Sequence, residues 1–162
     1  MKWVWCIALA FTLFGLDIAS KAYVYHHFPL NSGFSVFQNF LGVDFSITYA
    51  ANKGAAWGVF SGFQDYLLYF RMIVVGGLLS YILFFNKEKR LLYPFMLIIT
   101  GALGNVLDYF VYGHVVDMFY FKFGSYSYPI FNIADSVIFC GTVWLILGQK
   151  RNKHAPHKQS LS

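Results

Sequence analysis

The sequence contains "GALGNVLDYFVYGHVVDMF" at residues 101–119, and "FNIADS" follows at residues 131–136. Three aspartates, Asp108, Asp117 and Asp135, lie within or beside these apolar runs. A carboxylate is costly in an apolar environment unless it is paired or hydrogen-bonded. The reason why these three acids are tolerated therefore decides how the rest of the chain is interpreted.

The composition is that of a membrane protein. Of the 162 residues, 58% are hydrophobic and only 12% are charged, whereas a soluble domain has about 25% charged residues. The net charge of +5 does not indicate nucleic-acid binding, because the sequence shows no basic stripe on a polar face. Cys6 and Cys140 lie in apolar runs, and their spacing is not typical of a metal site or a disulfide framework.

Four apolar segments approach the roughly 20 residues that a helix needs to cross a bilayer. They cover residues 3–25, 66–85, 91–108 and 130–147. Lys and Arg concentrate before the first segment, in "NKEKR" (86–90) and after the fourth segment. The positive-inside rule then predicts that both termini are cytoplasmic. A cleaved signal peptide at the N-terminus is the alternative, but the charged pair Asp17 and Lys21 is unusual for such a segment.

The segment between the first two spans is too long for a bare loop. "VDFSITYA" (Val43–Ala50) is rich in alternating and β-branched residues and predicts a short strand. "NKGAAWG" (52–58) has turn residues and small residues, which allow a backbone to approach a ligand closely. "VFSGFQDYLLYF" (59–70) is amphipathic and predicts a helix at the membrane interface.

The acids of the spans converge at one depth. The third span rises by about 27 Å from its cytoplasmic end, so Asp108 lies at its outer end. The fourth span runs back inward, so Asp135 lies near its outer start. Asp117 lies in the connection between them, and Asp17 and Lys21 lie in the outer half of the first span. Ionisable residues gathered in this way usually face an interior or a cavity and mark a functional site.

Helical spacing refines this picture. Asn105 and Asp108 are three residues apart, and Asn132 and Asp135 repeat that spacing, so each Asn is expected to hold the neighbouring carboxylate. Asp17 and Lys21 are spaced for an intrahelical ion pair, with a structural salt bridge between helices as the expected role.

Two carboxylates held close together cannot both ionise cheaply, so they share a proton at neutral pH. The ionised member can take a proton from water, while the protonated member polarises a carbonyl. This is aspartic peptidase chemistry, and it requires no cofactor and no metal.

The motifs "DIASK", "NKGAAWG", "GALGNVLD", "GHVVDMF" and "PIFNIADS" occur in this order. In this respect the chain resembles the bacterial lipoprotein signal peptidase family, also called signal peptidase II. The resemblance covers nearly the whole chain. It implies a membrane aspartic endopeptidase that cuts diacylglyceryl-modified prolipoproteins just before the lipidated cysteine.

The resemblance also implies roles for individual residues. Asp117 and Asp135 match the catalytic dyad. The matched substrate-binding or supporting positions are Asn52, Gly54, Asn105, Asp108, Asn132, Asp17 and Lys21. The family usually has Arg where this chain has Tyr109, which puts the contacts of that Arg in doubt. Lys21 is the cation that sequence placement offers in its stead.

The predicted fold is thus an all-α membrane protein: a four-transmembrane-helix bundle with a small β-sheet cradle and an interfacial helix on the outer (periplasmic) side. One membrane-embedded domain covers residues 1–148, and residues 149–162 form a basic cytoplasmic tail. The expected location is the bacterial inner membrane, with the active site at the outer leaflet. The expected partners are lipidated prolipoproteins and membrane lipid, with no nucleic acid, and the protein is expected to be monomeric.

Three other functions are compatible with parts of the sequence. A proton- or ion-coupled transporter would use intramembrane acids, but no polar row reaches the cytoplasmic side. A metal hydrolase would use His114 with Asp108, Asp117 and Asp135, but only one His is near and no H-E-x-x-H motif occurs. A non-enzymatic assembly factor would not need the paired Asn and Asp residues.

Overall fold

The computed structural model describes residues 2–54 and 61–153. It contains four α-helices and four β-strands. In chain order they are α1 (Lys2–His27), β1 (Gly33–Phe40), β2 (Val43–Asn52), α2 (Gln64–Ser80), α3 (Leu92–Tyr112), β3 (Val115–Phe123), β4 (Tyr126–Ser127) and α4 (Ile133–Lys153). A single π-turn, Tyr81–Phe85, continues α2, and a 3₁₀ turn, Lys89–Leu91, precedes α3.

Three helical segments within the described residues are long and apolar enough to cross a membrane: Trp3–His27, Gln64–Phe85 and Lys89–Tyr112. The apolar helical stretch Ile133–Gly148 is shorter. The third helix extends one turn beyond the predicted end at residue 108. It stops at Gly113, whose left-handed φ of 74° suits a residue without a side chain.

The four strands form one antiparallel sheet in the order β1-β2-β3-β4. The strand predicted over Val43–Ala50 is confirmed as part of β2. The fold is therefore helix-rich with a four-stranded sheet, which is more strand than the class all-α suggests. Alternation in β3 is weak because Phe119, Tyr120 and Phe121 are consecutive aromatic residues, and every residue of β1 is exposed.

The pairing of β2 with β3 contains a bulge close to Asn52 and Asp117. Ile47 pairs with Phe119, but Ala50 pairs with Asp117, so β2 carries one extra residue in this interval. This bulge sets which side chains of β2 share a face with Asp117.

The predicted interfacial helix is not confirmed. Among the described residues, a 3₁₀ turn, Ser61–Phe63, directly precedes α2. Val59 and Phe60 lie outside the described residues, as do Ala55–Gly58 of the "NKGAAWG" motif.

Helices α3 and α4 pack closely because small residues face the partner backbone. A Cβ built on Gly141 of α4 would lie 2.8 Å from the carbonyl oxygen of Pro94, and one on Gly101 of α3 would meet the carbonyl oxygen of Ala134. Such contacts between small residues and backbone are typical of helix interfaces in membranes. They bring the outer end of α3 against the start of α4, where the acidic residues lie.

Gly141→Ala is therefore expected to destabilise the protein by about 1–3 kcal/mol, because the added methyl group has no space without displacing backbone. Gly76→Ala is the matched control, since nothing lies within 4 Å of a Cβ on Gly76 of α2. Thermal unfolding in detergent should show a lower midpoint for the first variant only. Equal midpoints for the two variants would contradict the close packing.

Candidate functional site

A buried lysine lies at the centre of the polar cluster. The Nζ of Lys21 on α1 contacts Asp17 Oδ2 at 2.7 Å and Asp108 Oδ2 at 2.9 Å, and it donates a hydrogen bond to Asn105 Oδ1 at 3.0 Å. Lys21 is fully buried. The Lys21 ammonium thus has three oxygen atoms within 3.0 Å, from two carboxylates and one amide, so its charge is held without contact with water.

The two aspartates of this ion cluster also bind backbone. Asp17 Oδ1 accepts the N–H of Ala134 at 2.8 Å, and Asp108 Oδ2 accepts the N–H of Val116 at 3.1 Å. The first contact fixes the start of α4, and the second fixes the start of β3. The carboxylate of Asp17 thus stabilises the N-terminal end of α4, where backbone N–H groups lack partners within the helix.

The start of α4 is closed by a reciprocal cap. Asn132 Oδ1 accepts the N–H of Asp135 at 2.8 Å, while Asp135 Oδ2 accepts the N–H of Asn132 at 3.3 Å. This is a capping box. The spacing of Asn132 and Asp135 predicts two side chains on one face of a helix, but the two residues form a cap instead. The reason is that α4 begins at Ile133, so Asn132 lies just outside the helix.

Asp117 is held by two amide groups. Asn132 Nδ2 donates to Asp117 Oδ1 at 2.7 Å, and Asn52 Nδ2 donates to Asp117 Oδ2 at 2.9 Å. The orientation of Asn52 is fixed because its Oδ1 accepts the N–H of Gly54 at 2.9 Å. Each oxygen of this buried carboxylate therefore has a donor from a different element.

Asp135 is held by an Asn from the third helix. Asn105 Nδ2 donates to Asp135 Oδ1 at 2.8 Å. The expectation that Asn105 holds Asp108 is wrong, since Asn105 uses its oxygen for Lys21 and for Asn132 Nδ2 at 3.2 Å. The tight packing of α3 against α4 turns this side chain towards the neighbouring helix instead of along its own.

The site therefore brings together all nine residues that the sequence singled out: Asp17, Lys21, Asn52, Gly54, Asn105, Asp108, Asp117, Asn132 and Asp135. Burial, followed by the nearby carboxylate of Asp135, raises the pKa of Asp117 to about 7. Asp135 is only half-buried. The two carboxylates share Asn132 as a common partner, so one residue positions both acids.

An apolar groove of about 400 Å³ opens beside Asp135. Aromatic rings of the sheet form one side, and α4 forms the other. The lining residues are Phe121, Phe123, Tyr128, Phe131, Asp135, Ser136, Phe139 and Cys140. The half-buried carboxylate of Asp135 thus meets a space that can hold an apolar ligand.

His114 does not join the acids. Its Nε2 lies 2.7 Å from the hydroxyl of Tyr49, and burial, then the charge of Lys53, lowers the pKa of His114. Within residues 2–54 and 61–153, no group of three or more His, Cys, Asp or Glu side chains is arranged to hold a metal ion.

Tyr109 lies at the edge of the site and bonds to a second helix. Its hydroxyl donates to Asp65 Oδ1 at 2.5 Å, and the adjacent Gln64 Nε2 donates to the carbonyl of Gly113 at 2.8 Å. Sequence reasoning missed this link between α2 and α3, although both polar residues stand out at the start of an apolar helix. Lys21 is fully engaged elsewhere, so these contacts do not support it as a substitute for the missing Arg.

These features define a class: a helix-rich membrane protein whose apolar helices enclose a paired-carboxylate centre, as in a membrane enzyme. The sequence profile of the "Signal peptidase (SPase) II" family matches residues 9–150. The chain belongs to the signal peptidase II family and is a membrane peptidase.

Individual relatives agree over nearly the full length. The chain is 38% identical to the lipoprotein signal peptidase of Psychromonas ingrahamii, over 98% of this chain and 91% of the relative. It is 35% identical to the lipoprotein signal peptidase of Pasteurella multocida, over 99% and 95%. A solved structure described as a bacterial membrane enzyme superposes with a TM-score of 0.83 at 26% identity, covering 97% of this chain and 94% of that one.

Lys21→Met is expected to destabilise the protein by about 3–5 kcal/mol, because it leaves two buried carboxylates without their cation. The triple variant Asp17→Asn, Lys21→Met, Asp108→Asn should recover most of this loss, since the charges are removed together. Unfolding in detergent measures both. A loss below about 1 kcal/mol for Lys21→Met alone would show that the ion cluster does not stabilise the fold.

Proposed function

We propose that this protein removes signal peptides from diacylglyceryl-modified prolipoproteins, cutting just before the lipidated cysteine with Asp117 and Asp135 as catalytic dyad. The observation that carries the proposal is the shared Asn132, which donates its side-chain amide to Asp117 and its backbone N–H to Asp135. The names of the relatives supply the substrate class. The apolar helices fit a membrane location, where a lipid-modified substrate lies.

In the proposed mechanism the two carboxylates have different catalytic roles, which follow from how deeply each is buried. Asp117 is the more deeply buried and has the raised pKa, so it carries the shared proton and donates a hydrogen bond to the scissile carbonyl. Asp135 takes a proton from a water molecule, whose oxygen attacks the carbonyl carbon, and Asp117 transfers its proton to the carbonyl oxygen to give a gem-diol. Asp135 then gives its proton to the amide nitrogen, and Asp117 takes a proton back from one hydroxyl of the gem-diol. The C–N bond breaks and yields an amine and a carboxylic acid, which ionises to a carboxylate.

The supporting residues fix these roles before substrate arrives. Asn52 and Asn132 hold the two oxygens of Asp117, and Asn105 holds one oxygen of Asp135. The other oxygen of Asp135, Oδ2, accepts the long 3.3 Å hydrogen bond from Asn132 and keeps a second lone pair for a water in the groove. Preorganised donors of this kind lower the cost of reorganisation in the transition state.

The groove beside Asp135 suits an apolar substrate held at a membrane surface. Its lining is mostly aromatic, and a peptide anchored by acyl chains would enter it from the lipid. The proposed topology has four spans, a domain over residues 1–148 in the bacterial inner membrane, both termini in the cytoplasm and the dyad at the outer leaflet. The basic tail at residues 149–162 would then be cytoplasmic.

The direct test is to incubate the purified protein in detergent or liposomes with a diacylglyceryl-modified prolipoprotein and with its unlipidated form. Release of the signal peptide from the lipidated form, detected by mass, supports the proposal. Cleavage of neither form would contradict it, and equal cleavage of both would contradict the lipid requirement.

Asp117→Asn and Asp135→Asn should each lower kcat/KM by roughly 10² to 10⁴, because each keeps the shape of the side chain but removes proton transfer. Asp44→Asn is the matched control, since among the described residues the Asp44 side chain accepts a hydrogen bond only from the N–H of Asn39 in β1. Circular dichroism and the unfolding midpoint should remain close to wild type. Near-normal cleavage by either dyad variant would refute the assignment.

The raised pKa of Asp117 predicts a pH dependence. Because the ordinary value is near 4 and the folded value is about 7, Asp117 keeps its proton below neutrality and loses it as the pH rises through about 7. Activity that needs the protonated form should therefore fall on the alkaline side. A profile of kcat/KM from about pH 5 to about pH 9 measures this, and a profile that rises through pH 7 would assign the base role to Asp117 instead.

Cysteine labelling tests the topology. In a background with Cys6→Ala and Cys140→Ala, Lys87→Cys should resist a membrane-impermeant thiol reagent in intact cells, while Ser125→Cys, in the turn between β3 and β4, should react. Both positions are exposed. The positive-inside distribution of Lys and Arg is the physical reason, and the reverse labelling pattern would overturn the orientation.

A further inference from the structure

Arg71 is a charged residue on the inward face of a membrane-spanning helix. In α2 and the turn that follows it, the residues that are not fully exposed fall on one stripe: Gln64, Leu67, Leu68, Arg71, Val74, Val75, Leu78 and Ile82. Arg71 lies in the middle of this stripe. It therefore faces the other helices and not the lipid, which is met by exposed residues such as Tyr69 and Ile73.

No Asp or Glu side chain of the described residues contacts Arg71. All seven acids lie within the described residues. Asp17 and Asp108 bind Lys21, and Glu88 binds Arg90. The others contact amide or hydroxyl groups: Asp44 with Asn39, Asp65 with Tyr109, Asp117 with Asn52 and Asn132, and Asp135 with Asn105. Among the described residues, Arg71 has neither an ion pair nor a hydrogen bond from its side chain. A guanidinium in this environment needs an oxygen partner, and no side chain of the described residues supplies one.

The depth of Arg71 matches the depth of the site. The hydrogen bonds of Gln64 with Gly113 and of Asp65 with Tyr109 fix the register of α2 against α3. Arg71 lies seven residues below Gln64, about 10 Å along the helix, and Asn105 lies eight residues below Gly113, about 12 Å along α3. Arg71 is thus level with Asn105, which holds Asp135.

We infer that Arg71 binds the C-terminal end of the substrate's signal helix, first through main-chain carbonyl oxygens and after cleavage through the new carboxylate. This inference rests on the proposed function. The last four carbonyl groups of a helix have no partner within the helix, and that end carries negative partial charge. A guanidinium offers five N–H donors and pairs well with a carboxylate. Hydrolysis creates such a carboxylate at the depth of Arg71.

A phospholipid phosphate also offers oxygen acceptors, but an arginine that binds one is expected on a different side of the helix. A side chain that reaches for lipid headgroups belongs on the lipid-facing side of the helix, whereas Arg71 lies on the stripe that contains the buried Leu68 and Val75. The substrate's helix end is therefore the better match.

The first test is kinetic. Arg71→Met should raise KM for the lipidated prolipoprotein by roughly 10- to 100-fold, the range for hydrogen bonds to a charged group, with kcat changed by less than about threefold. Arg71→Lys should recover part of the loss. Arg90→Met is the matched control, because it removes the same charge from the connection before α3 and should leave KM unchanged.

The second test uses the product. A synthetic apolar signal peptide with a free C-terminal carboxylate should inhibit the wild-type protein about tenfold more strongly than the same peptide with a C-terminal amide. In Arg71→Met the two peptides should inhibit equally. This difference does not follow from a structural role of Arg71, since loss of folding would weaken both peptides.

The outcomes separate the two proposals. If the wild-type protein cleaves the lipidated substrate while Arg71→Met keeps its KM and its preference for the carboxylate peptide, the role of Arg71 is wrong and the proposed function stands. If Arg71→Met instead loses co-purifying phospholipid with unchanged KM, Arg71 is a lipid anchor and the inference is again wrong. Failure of the wild-type protein to cleave would contradict the proposed function itself.

Discussion

The cation of Lys21, held between two carboxylates away from water, is the interaction on which the rest of the structure depends. A single buried charge in an apolar bundle is unfavourable, and a set of three is tolerated only when the charges are paired and the carboxylates gain further hydrogen bonds. Asp17 and Asp108 meet this requirement by binding backbone of α4 and β3 as well as Lys21. The ion cluster therefore joins α1 and the end of α3 to the starts of β3 and α4, and the geometry of the site follows from that junction.

The capping of α4 connects the fold to the chemistry. Asp135 completes a capping box with Asn132, and the same Asn132 reaches Asp117 on the sheet. A residue of a helix cap usually contributes to stability alone, but the carboxylate of Asp135 also lines the groove. The start of the helix and the spacing of the two acids are thus determined by the same side chains, and this keeps the acids close despite their repulsion.

Much of this arrangement could be predicted from the sequence, because the constraints are local or follow from the bilayer. Charge placement and span length put Asp108, Asp117 and Asp135 at one depth, and the residues named from the motifs do meet in space. The partners of the amides could not be predicted in the same way. Asn105 was assigned to Asp108 from its spacing, but it turns to Asp135 because glycines let α3 and α4 approach, and spacing along one helix carries no information about its neighbour. The extent of the sheet was also missed, since its strands lack clear alternation. Arg71 was overlooked because a single charge hardly changes the hydropathy of a span.

The bulge in β2 decides which residues can reach Asp117. Side chains of a strand alternate between its two faces, so one extra residue reverses the face of everything beyond it. With the extra residue, Ala50 lies opposite Asp117, and Asn52 falls on the same face, where it binds the carboxylate. With unbroken pairing from Ile47, Tyr49 would lie opposite Asp117 and Asn52 would point to the far side of the sheet. Whether Asn52 faces Asp117 therefore depends on whether the number of β2 residues between these points is odd or even. An insertion or deletion of one residue there moves Asn52 to the other face of the sheet, which the same change in a surface loop would not do.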